Sequence, residues 1–357
     1  MELFSIVHAL ALLFTTLSVL LVAVILGVHL REDFRLRHVI VFRRIAEPLV
    51  KNYLAGNTTL TEATAELKKE PRLALSLFLD LSEAAGPKEI KPLRDLGKSL
   101  SYLPALRAGL QRGDEAARLQ KAHCLGYLRD EAAIPDLMKA LEDRSPKVRL
   151  TAAQSLALLG CTDAVKKILQ NPEFAGEMPR ERVVEVLVQF GSEAVKPVVE
   201  VLEDPQTSGK TLAIAVQTCG MLHAQTAVPR LVEILQHKSP QIRLNAVCAL
   251  AAIGSPKAVT PIARLAEDPE PDVKSDVMFS LGILKATDQI PLVVRALNDP
   301  TWGVRLSAAQ ALCQMGLAGR KALEAEAGRG EESPARNVSR QVLQEEGHEW
   351  PAGRILA

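Results

Sequence analysis

From about residue 115 to 347, short stretches with apolar residues at every third or fourth position alternate with single breaks. That spacing places the apolar positions on one face of an α-helix, so each stretch predicts a helix with one side to bury. Three stretches align closely: KVRLTAAQSLALLG (147–160), QIRLNAVCALAAIG (241–254) and GVRLSAAQALCQMG (303–316). Taking the last residue as an anchor gives Arg129, Gly160, Gly191, His223, Gly254, Lys285, Gly316 and Gly347, spaced by 31 except for one interval of 32. A fixed period of this size marks stacked repeats. Each unit predicts a first helix that ends at the anchor and a second such as AIPDLMKALED or AVKPVVEVLED. Pro135, Pro197, Pro229 and Pro291 each stand six residues past an anchor, near the start of the second helix, where a missing N–H costs nothing. Glycine at the anchor suits a helix end that turns into the left-handed region. The expected fold is all-α, a right-handed α-solenoid of helix pairs with a period of about 31.

The N-terminal pattern is different. Residues 4–30 contain no Asp, Glu, Lys or Arg, and about 20 apolar residues suffice to cross a bilayer, so the stretch predicts one transmembrane helix. A cleaved signal peptide needs a basic start before a shorter apolar core, whereas Glu2 is the only charged side chain ahead of this run. The segment 31–44 follows, with Arg31, Arg35, Arg37, Arg43 and Arg44 against Glu32 and Asp33. Basic residues beside a span tend to stay in the cytoplasm. The expectation is a single-pass protein of the inner (cytoplasmic) membrane, N-terminus out, repeats in the cytoplasm, with the bilayer as a partner of residues 4–30. Ala23 and Gly27 are four apart, a small-xxx-small spacing through which two copies could pack as a homo-oligomer. Residues 45–114 predict a helical cap or degenerate repeats, 115–347 the array, and 348–357 a flexible tail.

Composition supports the helical reading, since aromatics are only 4% of the chain. A net charge of +1 leaves no global field to recruit nucleic acid. Positions ten past the anchors read Lys139, Gln170, Val201, Glu233, Arg264, Arg295 and Glu326, which makes no basic stripe. The five cysteines are odd in number and form no CxxC pair, so they read as small buried residues in a reducing compartment. One charged pattern does recur. Arg149, Arg180, Arg243, Lys274, Arg305 and Arg336 each lie 20 residues past an anchor, and Asp143, Asp268 and Asp299 precede three of them by six. Because acids match the cations, the row reads as a structural ladder of hydrogen bonds and ion pairs between repeats, not as an anion site.

Motifs that carry chemistry are scarce. HExxH, GxxxxGK[ST] and GxGxxG do not occur, and the cysteines lie in apolar stretches such as LNAVCALAAIG that disfavour a thiolate. The segments VRLTAAQSLALLG, CLGYLRDEAAIPDLMKALED and ALAAIGSPKAVTPIARLAEDPEPDVK resemble the short HEAT repeats of the phycobilin-lyase-like family, over about residues 115–347. With the apolar N-terminal segment, the chain resembles bacterial membrane-anchored HEAT-repeat proteins. The resemblance implies an extended binding surface. It also raises two enzymatic relatives: deoxyhypusine hydroxylases, which hold a di-iron centre through several His-Glu pairs, and bilin lyases, which attach chromophores to proteins. This sequence has one His-Glu pair, His348-Glu349, in the tail. The expectation is therefore a non-enzymatic, membrane-tethered scaffold or adaptor that binds a protein partner along the solenoid. It has no catalytic residue, metal or cofactor. The alternative is a HEAT-family enzyme, hydroxylase-like or bilin-lyase-like.

Overall fold

The computed structural model describes the backbone of residues 2–345 except 172, 173 and 175–177; within the first helix, the side chains of 2–16, 18, 19, 27, 32, 33 and 35 lie outside the described residues. The described chain is helical, without strands, and divides into two units. One is Met1–Arg112 with Tyr127–Asp130, the other Gly113–Gly126 with Glu131–Ala357.

In the first unit, α1 (Glu2–Leu54) is followed by α2 (Leu60–Leu67), α3 (Pro71–Ala84), α4 (Ile90–Ser99) and α5 (Tyr102–Gly109). Thr59 and Glu62 cap α2 reciprocally, the side chain of each accepting the other's backbone N–H. Phe42, Ala46 and Val50 of α1 are buried with Leu77 and Phe78 of α3 and Leu93 and Leu96 of α4. The expected membrane span at 4–30 is corrected here: among the described residues, no helix is long and apolar enough to cross a membrane. Residues 4–16, 18, 19 and 27 of that expectation lie outside the described side chains. α1 does not end near residue 30. It runs 53 residues, through Arg31, Arg37 and Arg43, into the buried turn that holds Phe42, Ala46 and Val50. The single-pass inner-membrane placement, the outward N-terminus, the cytoplasmic assignment and the bilayer as partner fall with the span. Ala23 is exposed on α1, and Gly27 is outside the described side chains.

The second unit is the repeat array. Its first helices are α6 (Glu115–Tyr127), α8 (Pro146–Leu158), α10 (Arg180–Gln189), α12 (Gly209–Met221), α14 (Pro240–Ile253), α16 (Pro271–Ile283) and α18 (Trp302–Gln314). Second helices are α7 (Ile134–Ala140), α9 (Asp163–Gln170), α11 (Val195–Glu203), α13 (Val228–Ile234), α15 (Val259–Ala263), α17 (Ile290–Ala296) and α19 (Gly316–Ala327), and α20 (Pro334–Glu345) follows. Each first helix ends one or two residues before its anchor, and every described anchor has a positive φ. Gly160, Gly191, Gly254 and Gly316 lie at 65–74°, and Arg129, His223 and Lys285 at 48–52°. Gly347 lies outside the described residues.

Those three non-glycine anchors have a structural counterpart. In each of their repeats a glycine stands three positions earlier, at Gly126, Gly220 and Gly282. A Cβ there would meet Ser155 Cβ at 2.3 Å, Ala249 Cα at 2.9 Å or Ala311 Cα at 2.7 Å. The next repeat's first helix therefore packs directly on the glycine backbone. In these repeats glycine serves close packing, and an ordinary residue takes the strained turn.

A charged rung ties each of several repeats to the next. Arg118 donates from Nε and Nη2 to the two carboxylate oxygens of Asp143 (2.8 and 3.0 Å), and Arg243 does the same to Asp268 (both 2.7 Å). Lys274 reaches Asp299 at 2.5 Å. In each case the acid lies 25 residues beyond the cation, in the turn before the next first helix. It also accepts the backbone N–H two residues on, from Ser145 (2.9 Å), Glu270 (3.0 Å) or Thr301 (2.8 Å). The carboxylate thus caps its own turn while binding its neighbour's cation. The residue six before the cation contributes a backbone carbonyl. Arg149 donates to Asp143 O (2.9 Å), Arg243 to His237 O (3.0 Å) and Arg305 to Asp299 O (2.7 Å). Burial works to raise the carboxyl pKa of Asp143, Asp268 and Asp299. The cation hydrogen bonds and the turn N–H groups outweigh it and hold all three below the usual range.

Gly254→Ala has room for its methyl, so its cost is purely conformational, about 1–2 kcal/mol. Lys285→Gly relieves the same strain and gains up to about 1 kcal/mol; paired thermal melts read both signs. Gly282→Ala is expected to lose about 1–3 kcal/mol because its Cβ faces backbone that cannot yield. The rungs add a pH signature. A carboxyl depressed in the folded state contributes stability above its unfolded pKa, near 4, and loses it as pH falls through the folded value. Wild-type Tm should therefore drop below about pH 4. Asp268→Asn should lower Tm at neutral pH by the equivalent of about 3 kcal/mol and flatten the acid limb.

Candidate functional site

The ladder is not continuous. Between the intact rungs at Arg118–Asp143 and Arg243–Asp268, three successive rungs are altered. Arg149 is almost fully buried, but the residue 25 beyond it is Phe174, which is also buried. Arg180 lies 3.6 Å from its neighbour Glu181, and its buried Nε has no hydrogen-bond partner. At the third, Thr211 stands where the period places the cation and His237 stands at the acid's position. His237 keeps the acid's local role, since its Nδ1 accepts the N–H of Ser239 at 3.0 Å and its carbonyl accepts from Arg243. Both charges of this rung are missing together.

A cleft of ≈ 500 Å³ opens beside Thr211, between α9, the end of α11, the 204–208 turn and the start of α12. Leu169 and Val201 give it apolar wall, and Lys166, Glu200, Asp204 and Lys210 bring charge to it. Lys166 and Glu200 form an ion pair, and that hydrogen bond holds the Glu200 carboxyl below its usual range. Asp204 accepts the Gln206 N–H at 2.9 Å, as the rung aspartates do in their own turns. Thr211 donates to Leu169 O (3.3 Å) and Thr207 to Val201 O (2.8 Å), while Ser208 caps α12 by accepting the Thr211 N–H. Lys210 has no carboxylate partner among the described residues. The result is an open recess with hydroxyls, two ammonium groups and two acids, suited to holding a polar or anionic ligand by hydrogen bonds.

The described residues hold no grouping of three or more His, Cys, Asp and Glu that could take a metal. His38 contacts Glu70, His223 Nδ1 lies 2.7 Å from Ala252 O, and His237 serves its own turn, so these imidazoles do not converge. His348 and Glu349 lie outside the described residues. A di-iron centre of the hydroxylase kind does not fit this set. Thiol chemistry is equally unsupported. Burial pushes the Cys219 thiol up to about 12 and raises that of Cys161. Cys248, which is exposed, donates from Sγ to Asp276 (3.4 Å), a neighbour that disfavours a thiolate.

The remaining singled-out residues are spread along the chain. Arg31, Arg37 and Arg44 are exposed on α1, Arg43 pairs with Asp80, and the Arg35 side chain is outside the described residues. Arg336 sits at the start of α20 with its Nε buried and without a hydrogen bond. Three relevant positions were not singled out from the pattern. Arg118 lies 31 before Arg149, Thr211 lies 20 past Gly191, and His237 lies 14 past His223. Carrying the period through every repeat would have marked each, two of them by their departure from it.

A family model for HEAT repeats matches residues 103–172, 195–282 and 260–344. Among curated proteins, the chain is 27% identical over 237 residues to a deoxyhypusine hydroxylase of Aspergillus fumigatus, covering 61% of this chain and 69% of that one. It is also 27% identical over 157 residues to the bilin biosynthesis protein PecE of a Nostoc species, covering 44% of this chain and 62% of the relative, less than two-thirds of its length. In fold, the karyopherin Kap121p bound to the SUMO protease Ulp1p is similar, at a TM-score of 0.52 and 14% identity, covering 84% of this chain and 41% of that one. These names overturn the expectation of a non-enzymatic scaffold, because the matched relatives are named for a hydroxylase and for bilin biosynthesis. With the family model matching more than half of its length, this chain belongs to the HEAT-repeat family.

Proposed function

We propose that this chain is an enzyme-type HEAT protein of the bilin-lyase kind, which seats a carboxylate-bearing, bilin-like molecule in the cleft between α9 and α11. The observation that carries this reading is the cleft itself, which opens beside Thr211, the residue that stands in place of a rung cation. Its volume lies in the range of small-molecule sites. Lys210, which has no carboxylate partner among the described residues, is the group that would receive a ligand carboxylate. Leu169 and Val201 offer apolar contact to the rest of the molecule, and Thr207, Ser208 and Thr211 fix the surrounding backbone. The relative PecE supplies the ligand class. The hydroxylase relatives supply the other enzymatic reading, and the scattered histidines count against it. The residues of the cleft bind and orient; none is placed as a nucleophile or proton donor.

Titration of the purified chain with biliverdin, followed by absorbance and induced circular dichroism, tests the reading. A saturable spectral change is expected. It should weaken at least tenfold in Thr211→Arg/His237→Asp, which puts a long cation in place of the cleft-lining Thr211, gives it the rung acid as partner, and should hold or raise Tm. Lys210→Ala is expected to weaken it several-fold. The reading fails if wild type shows no saturable change, or if the rebuilt rung binds as well as wild type.

A further inference from the structure

Arg305, the rung cation one period before Arg336, has a different surrounding from those of Arg118 and Arg243. Its Nη1 donates to the carbonyls of Asp299 (2.7 Å) and Pro300 (2.9 Å), the same backbone anchoring that Arg243 makes to His237 and Lys238. In the Arg118 and Arg243 rungs the remaining edge of the guanidinium, Nε with Nη2, grips an aspartate carboxylate. At Arg305 that edge has no carboxylate partner among the described residues. The residue 25 beyond it, where Asp143, Asp268 and Asp299 stand in their rungs, is Gly330, and nothing lies within 4 Å of a Cβ built there. A cleft of ≈ 420 Å³ lies against Arg305, bordered by Trp302, Glu332, Asn337 and Gln341. Glu332 reaches the rim without pairing to Arg305.

A second departure coincides with the first. The residue three before the rung cation is proline in three of the other repeats, Pro146, Pro240 and Pro271, and here it is Trp302, 53% exposed on the same cleft as Arg305. Exposed Trp and Arg side by side are the residue types that most often carry binding energy at protein interfaces. We propose that this slot binds a carboxylate from outside the chain, carried on an acidic protein segment that lies over Trp302. The chain's own intact rungs define the ligand: an aspartate in a turn, meeting the guanidinium edge with two parallel hydrogen bonds.

The test uses the full chain with Trp350→Phe, so that Trp302 reports binding by fluorescence. The probe is a ten-residue peptide copying residues 266–275, which carries the rung aspartate Asp268, beside the same peptide with Asp268→Asn. Succinate stands for a free dicarboxylate. Saturable quenching or a spectral shift is expected with the aspartate peptide, weakening as salt rises. A loss of affinity of at least tenfold is expected for the Asp268→Asn peptide and in the Arg305→Gln protein. Should Arg305→Gln fail to fold, Gly330→Asp gives the answer, because it offers the slot a carboxylate from within and should abolish peptide binding while holding or raising Tm. Wild-type affinity in Arg305→Gln or in Gly330→Asp overturns the proposal, as does equal binding of the two peptides. Succinate binding as tightly as the peptide also overturns it, in favour of a small-molecule source.

Discussion

The two-pronged bond between an arginine at the start of one first helix and an aspartate in the turn of the next repeat, made at Arg118–Asp143 and Arg243–Asp268, sets the turn geometry that the other repeats keep. Apolar packing alone would let neighbouring helix pairs slide, since Leu, Val and Ala contacts are non-directional. The rung is directional. In the Arg118–Asp143 rung it satisfies six hydrogen-bonding groups at once: both prongs of the guanidinium, both carboxylate oxygens, the Ser145 N–H and the Gly113 carbonyl. Because Arg118 and Asp143 are nearly buried, either partner left alone would be an uncompensated charge in a poorly solvated site. Register and turn geometry are thereby coupled from repeat to repeat.

The same coupling explains why the interruptions matter. A rung that loses only one partner would be destabilising, and the Thr211/His237 rung has lost both. His237 retains the turn-capping contact through Nδ1, so the backbone path survives without the charge. What changes at the other end of the rung is the wall of the cleft, where the short Thr211 stands in place of a long cation. At the far end, Arg305 keeps its carbonyl contacts and lacks the acid, so the backbone path again survives while a charged edge is left available. Both recesses occur where the repeat is altered at specific side chains and its helices are kept.

Helix termini show a second economy. A left-handed residue is required at every anchor, yet glycine occupies only some of them. Where a neighbouring helix must approach within van der Waals contact of backbone, glycine stands three residues earlier, and the anchor is Arg, His or Lys. One glycine per repeat serves whichever constraint is harder to meet. A clash of Cβ with a neighbour's Cα cannot relax, whereas a positive φ costs about 1–2 kcal/mol.

Periodicity by itself determined the helices, the repeat length, the anchors and the row of cations, because these follow from local spacing that every unit restates. The HEAT assignment came from the resemblance of segments such as VRLTAAQSLALLG to that family, which the family model bears out. The extent of α1 was not: the apolar run at 4–30 reads as a span when taken alone, and only the three-dimensional structure shows the helix continuing through its arginines to bury Phe42, Ala46 and Val50. Nor could the sequence tell which acid meets which cation. Asp143 is close in sequence to Arg149 and gives it only a carbonyl, while its carboxylate goes to Arg118, 25 residues earlier. Short separations along the chain suggest partners, but stacking sets the distance of a turn in one repeat from a helix start in the next. The clefts, the close glycines and the open edge of Arg305 belong to that same class, decided by how repeats lie against one another.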